Sequence, residues 1–180
     1  MSHFEERMET DLQTIRNLVW KIGEDVETAL LSAKKVLILR DSDLAYKTVL
    51  DDHPINRDSR ECDRLCHTFI ARHLPGAGHL REIASTSRVN VTLERVGDYA
   101  VTICREALQI TSPLTPQLMH EIDAKFDESI DILNESRRSF FEGNAEMAIA
   151  MMKVAKRVQN QMDDVYEALF AEDDRMDGVS

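Results

Sequence analysis

An apolar seam in the first forty residues constrains the fold of this chain more than any other feature. Between residues 8 and 36, apolar side chains recur in alternating steps of four and three. This spacing is typical of a long α-helix that packs on other helices along one face. The seam predicts a helix from about Phe4 to Arg40. Its members are Met8, Leu12, Ile15, Val19, Ile22, Val26, Ala29, Ala33 and Val36.

Four further helical segments follow, separated by short turns. A turn with an N-cap is expected at Asp41-Ser42-Asp43, and a loop at Leu74–Gly78. Pro54 is expected to kink or break the second helix near His53, because proline lacks the amide hydrogen that a helix interior needs. The second helix is expected to begin near Leu44. The next three are expected to cover about His79–Ile110, Pro116–Glu142 and Ala145–Ala171, followed by a polar tail at Glu172–Ser180.

The third segment carries a second seam with the same spacing, and no run shows strand-like alternation. The seam consists of Val89, Leu93, Val96, Ala100, Ile103, Ala107 and Ile110. The sequence therefore predicts an all-α fold, an antiparallel helical bundle with short connections. The first two and last two helices have similar lengths, which indicates an internal duplication.

Charge and composition exclude several classes of protein. The 22 Lys and Arg residues are outnumbered by 33 Asp and Glu residues, which gives a net charge of −11. This balance disfavours binding to nucleic acid and to anionic lipid. The longest apolar run, Met147–Met152, is far too short to insert directly into a membrane. Three cysteines and a polar N-terminus favour a reducing, cytoplasmic location, with Cys62, Cys66 and Cys104 as buried thiols.

Two sets of carboxylates are candidate metal ligands. Glu94 and Asp98 lie four residues apart, so both fall on one face of the third helix and could offer oxygens to a metal ion. A longer ladder on the fourth helix consists of Asp123, Asp127, Asp131 and Glu135. The alternative for the first pair is a solvated face or salt bridges with Arg95 or Arg105. The alternative for the ladder is a solvated outer face.

No motif for nucleophilic catalysis or phosphate transfer occurs in the sequence. Gly-x-Ser-x-Gly, a phosphate loop and a dinucleotide fingerprint are absent, and no His follows a Glu by three positions as in di-iron bundles. These observations favour a non-catalytic interaction module. A metal-binding helical-bundle enzyme or a metal-storage protein stays open as the alternative.

Ordered motifs over about residues 3–110 resemble the PhoU family of phosphate uptake regulators. The stretch from Leu93 to Ala100, Leu-Glu-Arg-Val-Gly-Asp-Tyr-Ala, is similar to the family signature Leu-Glu-Arg-Ile-Gly-Asp-x-Ala. Asp43-Leu44-Ala45 followed by Asp52-x-x-Ile55-Asn56 is similar to the second helix of the family, and Leu74-Pro75-x-Ala77-x-x-Leu80-Arg81 to the turn into the third.

The resemblance implies two tandem three-helix bundles and a cytoplasmic regulator with no enzymatic activity. It implies contact with the ATPase subunit of the phosphate ABC transporter and with a sensor histidine kinase, and a homodimer. It also implies binding of iron, zinc, magnesium or manganese at the Glu-x-x-x-Asp motif, here Glu94 and Asp98, with Asp123, Asp127 and Asp131 as weaker candidates.

The chain departs from the family pattern at three points. Thr92 and His79 stand where family members commonly have Asp, which removes carboxylates from any site with several metal ions. The sixth helix that the resemblance implies, with its second copy of the signature, does not occur within these 180 residues; truncation or completion by a partner chain would each explain this. The expected domains are therefore residues 1–112, a first three-helix repeat, and 113–180, an incomplete second repeat of two helices and a polar tail.

Overall fold

The computed structural model describes residues 3–111 and 114–177, with side chains described as far as residue 161. Five helices and no strand lie within these ranges, which confirms the predicted all-helical class. The helices are α1 (His3–Leu39), α2 (Ser42–His73), α3 (Ala77–Gln109), α4 (Pro116–Glu142) and α5 (Ala145–Asp177). None of them, as far as they are described, is long and apolar enough to cross a membrane.

The first compact unit, residues 1–123, contains a three-helix bundle in which α1, α2 and α3 all contact one another. The α1 seam forms much of the core, although Leu30 is buried where Ala29 was predicted. Of the predicted α3 seam, Leu93, Ala100 and Ala107 are buried, whereas the other four members are only half-buried. The buried face differs from the predicted one because α3 packs on both α1 and α2. The buried positions of α3 are Ile83, Thr86, Asn90, Leu93, Gly97, Ala100, Val101, Cys104 and Ala107.

The break predicted at Pro54 does not occur, since α2 is continuous across it. Thr48 before the proline and Ile55 after it are both buried against the bundle. Tertiary packing on both sides therefore offsets the hydrogen bond that Pro54 cannot make, a loss of about 3 kcal/mol in an isolated helix. The predicted cap is confirmed, because the Asp41 carboxylate accepts a hydrogen bond from the Leu44 amide at 2.9 Å.

Two predicted boundaries were wrong. The loop after α2 is shorter than expected, because Gly76 takes the extended conformation of an N-cap and α3 begins at Ala77. The tail predicted from Glu172 is helical as far as Asp177, so α5 continues past Ala171. Residues 178–180 lie outside the described ranges.

The second compact unit, residues 124–180, is a helical hairpin. Gly143 adopts a positive φ of 65°, and its amide and that of Asn144 bond back to the last turn of α4. The Asn144 side chain then accepts a hydrogen bond from the Met147 amide and caps α5. Lys125 donates to Gln161 at 2.8 Å, which joins the two antiparallel helices away from the turn between them.

Candidate metal centre

The carboxylate pair predicted from sequence, Glu94 and Asp98, lies on one face of α3. Glu94 is half-buried and Asp98 is exposed. The ion pairs recorded for the described residues include none between these carboxylates and Arg95 or Arg105, so the salt bridges considered as an alternative do not form. The pair therefore keeps its negative charge uncompensated by a direct cationic partner.

A third carboxylate, Asp52, approaches this face from α2. Its Oδ2 accepts a hydrogen bond from the Asn56 amide nitrogen, one turn further along α2. Its Oδ1 is buried and has no hydrogen-bond partner among the described residues. A β-carbon added at Gly97 would lie 3.6 Å from that oxygen, so the absence of a side chain at Gly97 leaves space beside it.

The protonation of Asp52 reflects these surroundings. Burial raises the pKa of the Asp52 carboxyl above its ordinary value, and the nearby charge of Asp98 raises it further. The Asn56 hydrogen bond and the charges of His53 and Arg105 oppose this rise without cancelling it. A carboxylate whose charge is disfavoured by burial and by a like charge is stabilised when a cation binds beside it.

The donor chemistry of this centre fits a hard divalent cation. Asp52 supplies an unpartnered buried oxygen, and Glu94 and Asp98 supply carboxylates on the facing helix. The described residues contain no group of three or more His, Cys, Asp or Glu side chains that could hold a metal ion by themselves. A cation here would accordingly keep several water ligands, as Mg²⁺ usually does in proteins.

The α4 ladder is arranged differently. Asp123 forms an ion pair with Lys34 at 2.7 Å, whereas Asp127 and Asp131 are exposed. Glu135 lies 4.0 Å from Arg138. Metal binding at the ladder stays a prediction, and Asp123 already has a cationic partner.

The three thiols are free and buried, as predicted. A hydrogen bond with Cys66, together with burial, raises the pKa of the Cys62 thiol. Burial likewise raises the pKa of Cys104. The Cys62 and Cys104 thiols therefore remain protonated at neutral pH, whereas the hydrogen bond with Cys62 lowers the pKa of Cys66.

Thr92 and His79, the two residues that depart from the family pattern, make local contacts on α3. The Thr92 hydroxyl donates to the Arg88 carbonyl of its own helix at 2.9 Å. The His79 ring lies 4.0 Å from the Glu82 carboxylate. Neither contact supplies a carboxylate oxygen to the centre at Asp52.

Most of the three-helix bundle falls within a match to a described class of domain. Residues 19–107, which include Asp52, Glu94 and Asp98, match the model of the PhoU domain. The chain thus carries a PhoU domain, and the resemblance to the PhoU family is confirmed.

Relatives with assigned names agree with this match. The phosphate-specific transport system accessory protein PhoU of Escherichia coli is 28% identical over 167 residues, which cover 93% of this chain and 69% of that protein. The PhoU homolog of Pseudomonas putida is 28% identical over 88% of this chain and 62% of its own length. These proteins are named as transport accessory proteins and not as enzymes.

A solved structure extends the agreement to the fold. The crystal structure of PhoU from Pseudomonas aeruginosa superposes with a TM-score of 0.85 at 27% identity, covering 91% of this chain and 78% of that one. The all-helical architecture is therefore similar to that of this PhoU protein.

Proposed function

We propose that this chain is a non-catalytic accessory regulator of phosphate uptake and of phosphate-starvation signalling, acting through protein–protein contact. The PhoU domain at residues 19–107 carries the proposal, because relatives that align along most of the chain are accessory proteins of a phosphate-specific transport system. The partners expected from the family resemblance are the ATPase subunit of the phosphate ABC transporter and a sensor histidine kinase, both reached from the cytoplasm. The net charge of −11 suits a partner with a basic docking patch.

The regulatory role is tested by deleting the gene and assaying a phosphate-starvation reporter, such as alkaline phosphatase, in phosphate-rich medium. The reporter is expected to switch on in the deletion strain and to be repressed again when this chain is supplied. A reporter that stays silent in the deletion strain would contradict the proposal.

A metal ion is the second part of the proposal. Glu94 and Asp98 would hold it, beside the buried carboxylate of Asp52, and all three offer oxygen, the donor that Mg²⁺ and Mn²⁺ prefer over softer metals. The ion would neutralise the repulsion between Asp52 and Asp98 and connect α2 to α3. Its chemistry here is electrostatic, and the chain contributes the carboxylates that position it.

Metal content distinguishes this centre from the α4 ladder. The purified chain is loaded with Mn²⁺, passed through a desalting column and analysed by elemental mass spectrometry. The double variant Glu94→Gln/Asp98→Asn is expected to lose the metal, and the matched double variant Asp127→Asn/Asp131→Asn to keep it. The reverse pattern would move the site to α4, and equal retention in both would exclude the centre at Asp52.

A homodimer is the third part of the proposal. On α5 the apolar side chains of Ile149 and Met152 are 54% and 71% exposed, which is apolar surface that a partner can cover. Light scattering on the purified chain is expected to give twice the monomer mass, and Met152→Glu is expected to shift the mass toward the monomer. A monomeric wild-type chain would refute this part alone.

A further inference from the structure

A cavity of about 320 Å³ lies where α1 begins and α2 ends, and it shares no residue with the carboxylate centre. His3, Phe4 and Arg7 line it from α1, and Arg72 and His73 line it from α2. Four of its five lining side chains are basic, in a protein whose net charge is −11. The cavity is therefore a local positive feature on an acidic molecule.

Asp11 fixes one wall of this cavity. Its Oδ2 accepts hydrogen bonds from Arg72 Nη1 and from His73 Nε2, both at 2.8 Å. The hydrogen bond from His73, and after it that from Arg72, lowers the pKa of Asp11 against the opposing effect of burial. Arg72 and His73 are thereby held in place before any ligand arrives.

His73 has a polar atom that these contacts leave unused. Its side chain is only 2% exposed, and its Nδ1 is buried without a hydrogen-bond partner among the described residues. The rings of Phe4 and Phe69 pack against it at centroid distances of 5.5 and 4.9 Å. Leaving such an atom unpaired costs free energy.

Arg7 is the uncommitted cation of the cavity. It is exposed, and it makes no ion pair with any residue that the structure describes. Arg72, by contrast, shares its charge with Asp11. Arg7 and Arg72 carry two positive charges against the one negative charge of Asp11. The net charge of these groups is therefore positive even when the two histidines of the cavity are neutral.

We infer that this cavity binds the phosphate group of a small anion, either inorganic phosphate or a phosphate monoester. Arginine forks match phosphate oxygens, and a tetrahedral anion can take donors from Arg7 and Arg72 at once. His73 lines the same cavity and, through Asp11, shares the contact that holds Arg72 in place. The cavity has the volume of roughly ten water molecules, which leaves room for an organic group beside Phe4.

Titration calorimetry on the full chain tests the site with inorganic phosphate and with AMP as the monoester. Saturable binding of at least one anion is expected. Arg7→Gln is expected to weaken it about tenfold, the loss of one charge-assisted contact. Arg60→Gln removes the same charge from an exposed position of α2 outside the cavity and is expected to leave binding unchanged. No binding of either anion, or equal weakening by both variants, would overturn the inference.

A second measurement locates the ligand. The ring resonances of His73 in the NMR spectrum are expected to shift when the anion is added. Those of His53, which follows Asp52 on α2 and does not line the cavity, are expected to stay in place. Binding that leaves His73 unperturbed would overturn the site. Tighter binding of AMP than of phosphate would assign a monoester, and the reverse would assign the free ion. Association with phosphatidylglycerol vesicles alone would overturn the proposal of a small ligand.

This inference is independent of the proposed regulatory function. The binding experiments use purified protein and no transporter, whereas the reporter assay measures repression in cells. A failure of either leaves the other result interpretable.

Discussion

At the scale of single residues, the charged carboxylate of Asp52 lowers the stability of the metal-free protein, although the same charge would favour a metal ion beside it. Its charged form is disfavoured by burial and by Asp98, so the neutral, equally sized Asn is expected to stabilise the metal-free protein. The gain is on the order of 0.5 kcal/mol, because solvent screens a partly exposed group. Urea unfolding of Asp52→Asn at pH 7 measures it, with exposed Asp51→Asn as the control.

The pH dependence of that gain follows from the sign of the shift. Since the pKa of Asp52 is raised in the folded state, its charge destabilises the fold above the unfolded value of about 4. The advantage of Asp52→Asn is therefore expected at pH 7 and should vanish as the pH falls through about 4. An advantage that persists at pH 3 would contradict the electrostatic explanation.

Gly97 gives a second prediction at the same scale. A methyl group there would make ordinary contacts of 3.6–3.7 Å with Asp52, Ile55 and Val26, so Gly97→Ala fits. Alanine favours a helix interior over glycine by about 1 kcal/mol, which should raise Tm by about 2–4 °C. Because the methyl fills the space beside Asp52 Oδ1, retention of Mn²⁺ should fall.

The matched control is Gly78→Ala, also on α3, where an added β-carbon meets nothing within 4 Å. This variant should leave Mn²⁺ retention unchanged. Equal retention by both alanine variants would show that the space at Gly97 has no part in binding.

Sequence spacing could find Glu94 and Asp98, because both lie on one helix and their four-residue separation fixes a shared face. It could not single out Asp52, whose role depends on how α2 packs against Gly97. The kink or break expected at Pro54 lies between Asp52 and Asn56, so the sequence gives no reason to place these two side chains on one helical face. His73 was missed for a similar reason, since its partner Asp11 lies on another helix.

At the scale of helices, the N-cap of α2 offers a direct test of local stabilisation. Asp41→Ala removes the acceptor for the Leu44 amide and is expected to cost about 1 kcal/mol of unfolding free energy. Asp41→Asn keeps an oxygen at the cap and should cost much less. Denaturant midpoints measure both, and equal losses would show that the cap bond is unimportant.

Helix boundaries were predictable where the chain carries a strong breaker, as Pro116 and Gly143 show at the two ends of α4. They were not predictable where tertiary packing decides, as at Pro54. The α3 seam shows the same limit. A single stripe predicts one packed face, whereas contacts with both α1 and α2 also bury Asn90, whose amide donates to the Ser59 carbonyl at 3.0 Å.

At the scale of the whole molecule, acid sensitivity is set by carboxylates with basic partners. Hydrogen bonds from His73 and Arg72 lower the pKa of Asp11, and one from Lys21 lowers that of Asp58. A lowered folded-state pKa contributes stability above the unfolded value, and this stability is lost as the pH falls through the folded value. The unfolding free energy is thus expected to decline below about pH 4.

The variant Asp11→Asn tests the assignment of this decline. It should be less stable than the wild type at pH 7 and should show a shallower loss on acidification. The exposed Asp43→Asn serves as the comparison on another helix. An unchanged acid profile in Asp11→Asn would show that the contacts with Arg72 and His73 do not contribute to stability.

The initial rate of radiolabelled phosphate uptake, measured in phosphate-rich medium, tests most directly whether this protein regulates phosphate transport. The comparison is between wild-type cells, cells lacking the gene, and deleted cells supplied with this chain. The account predicts faster uptake in the deletion strain and a return to the wild-type rate when the chain is supplied. Equal uptake rates in all three strains would contradict it.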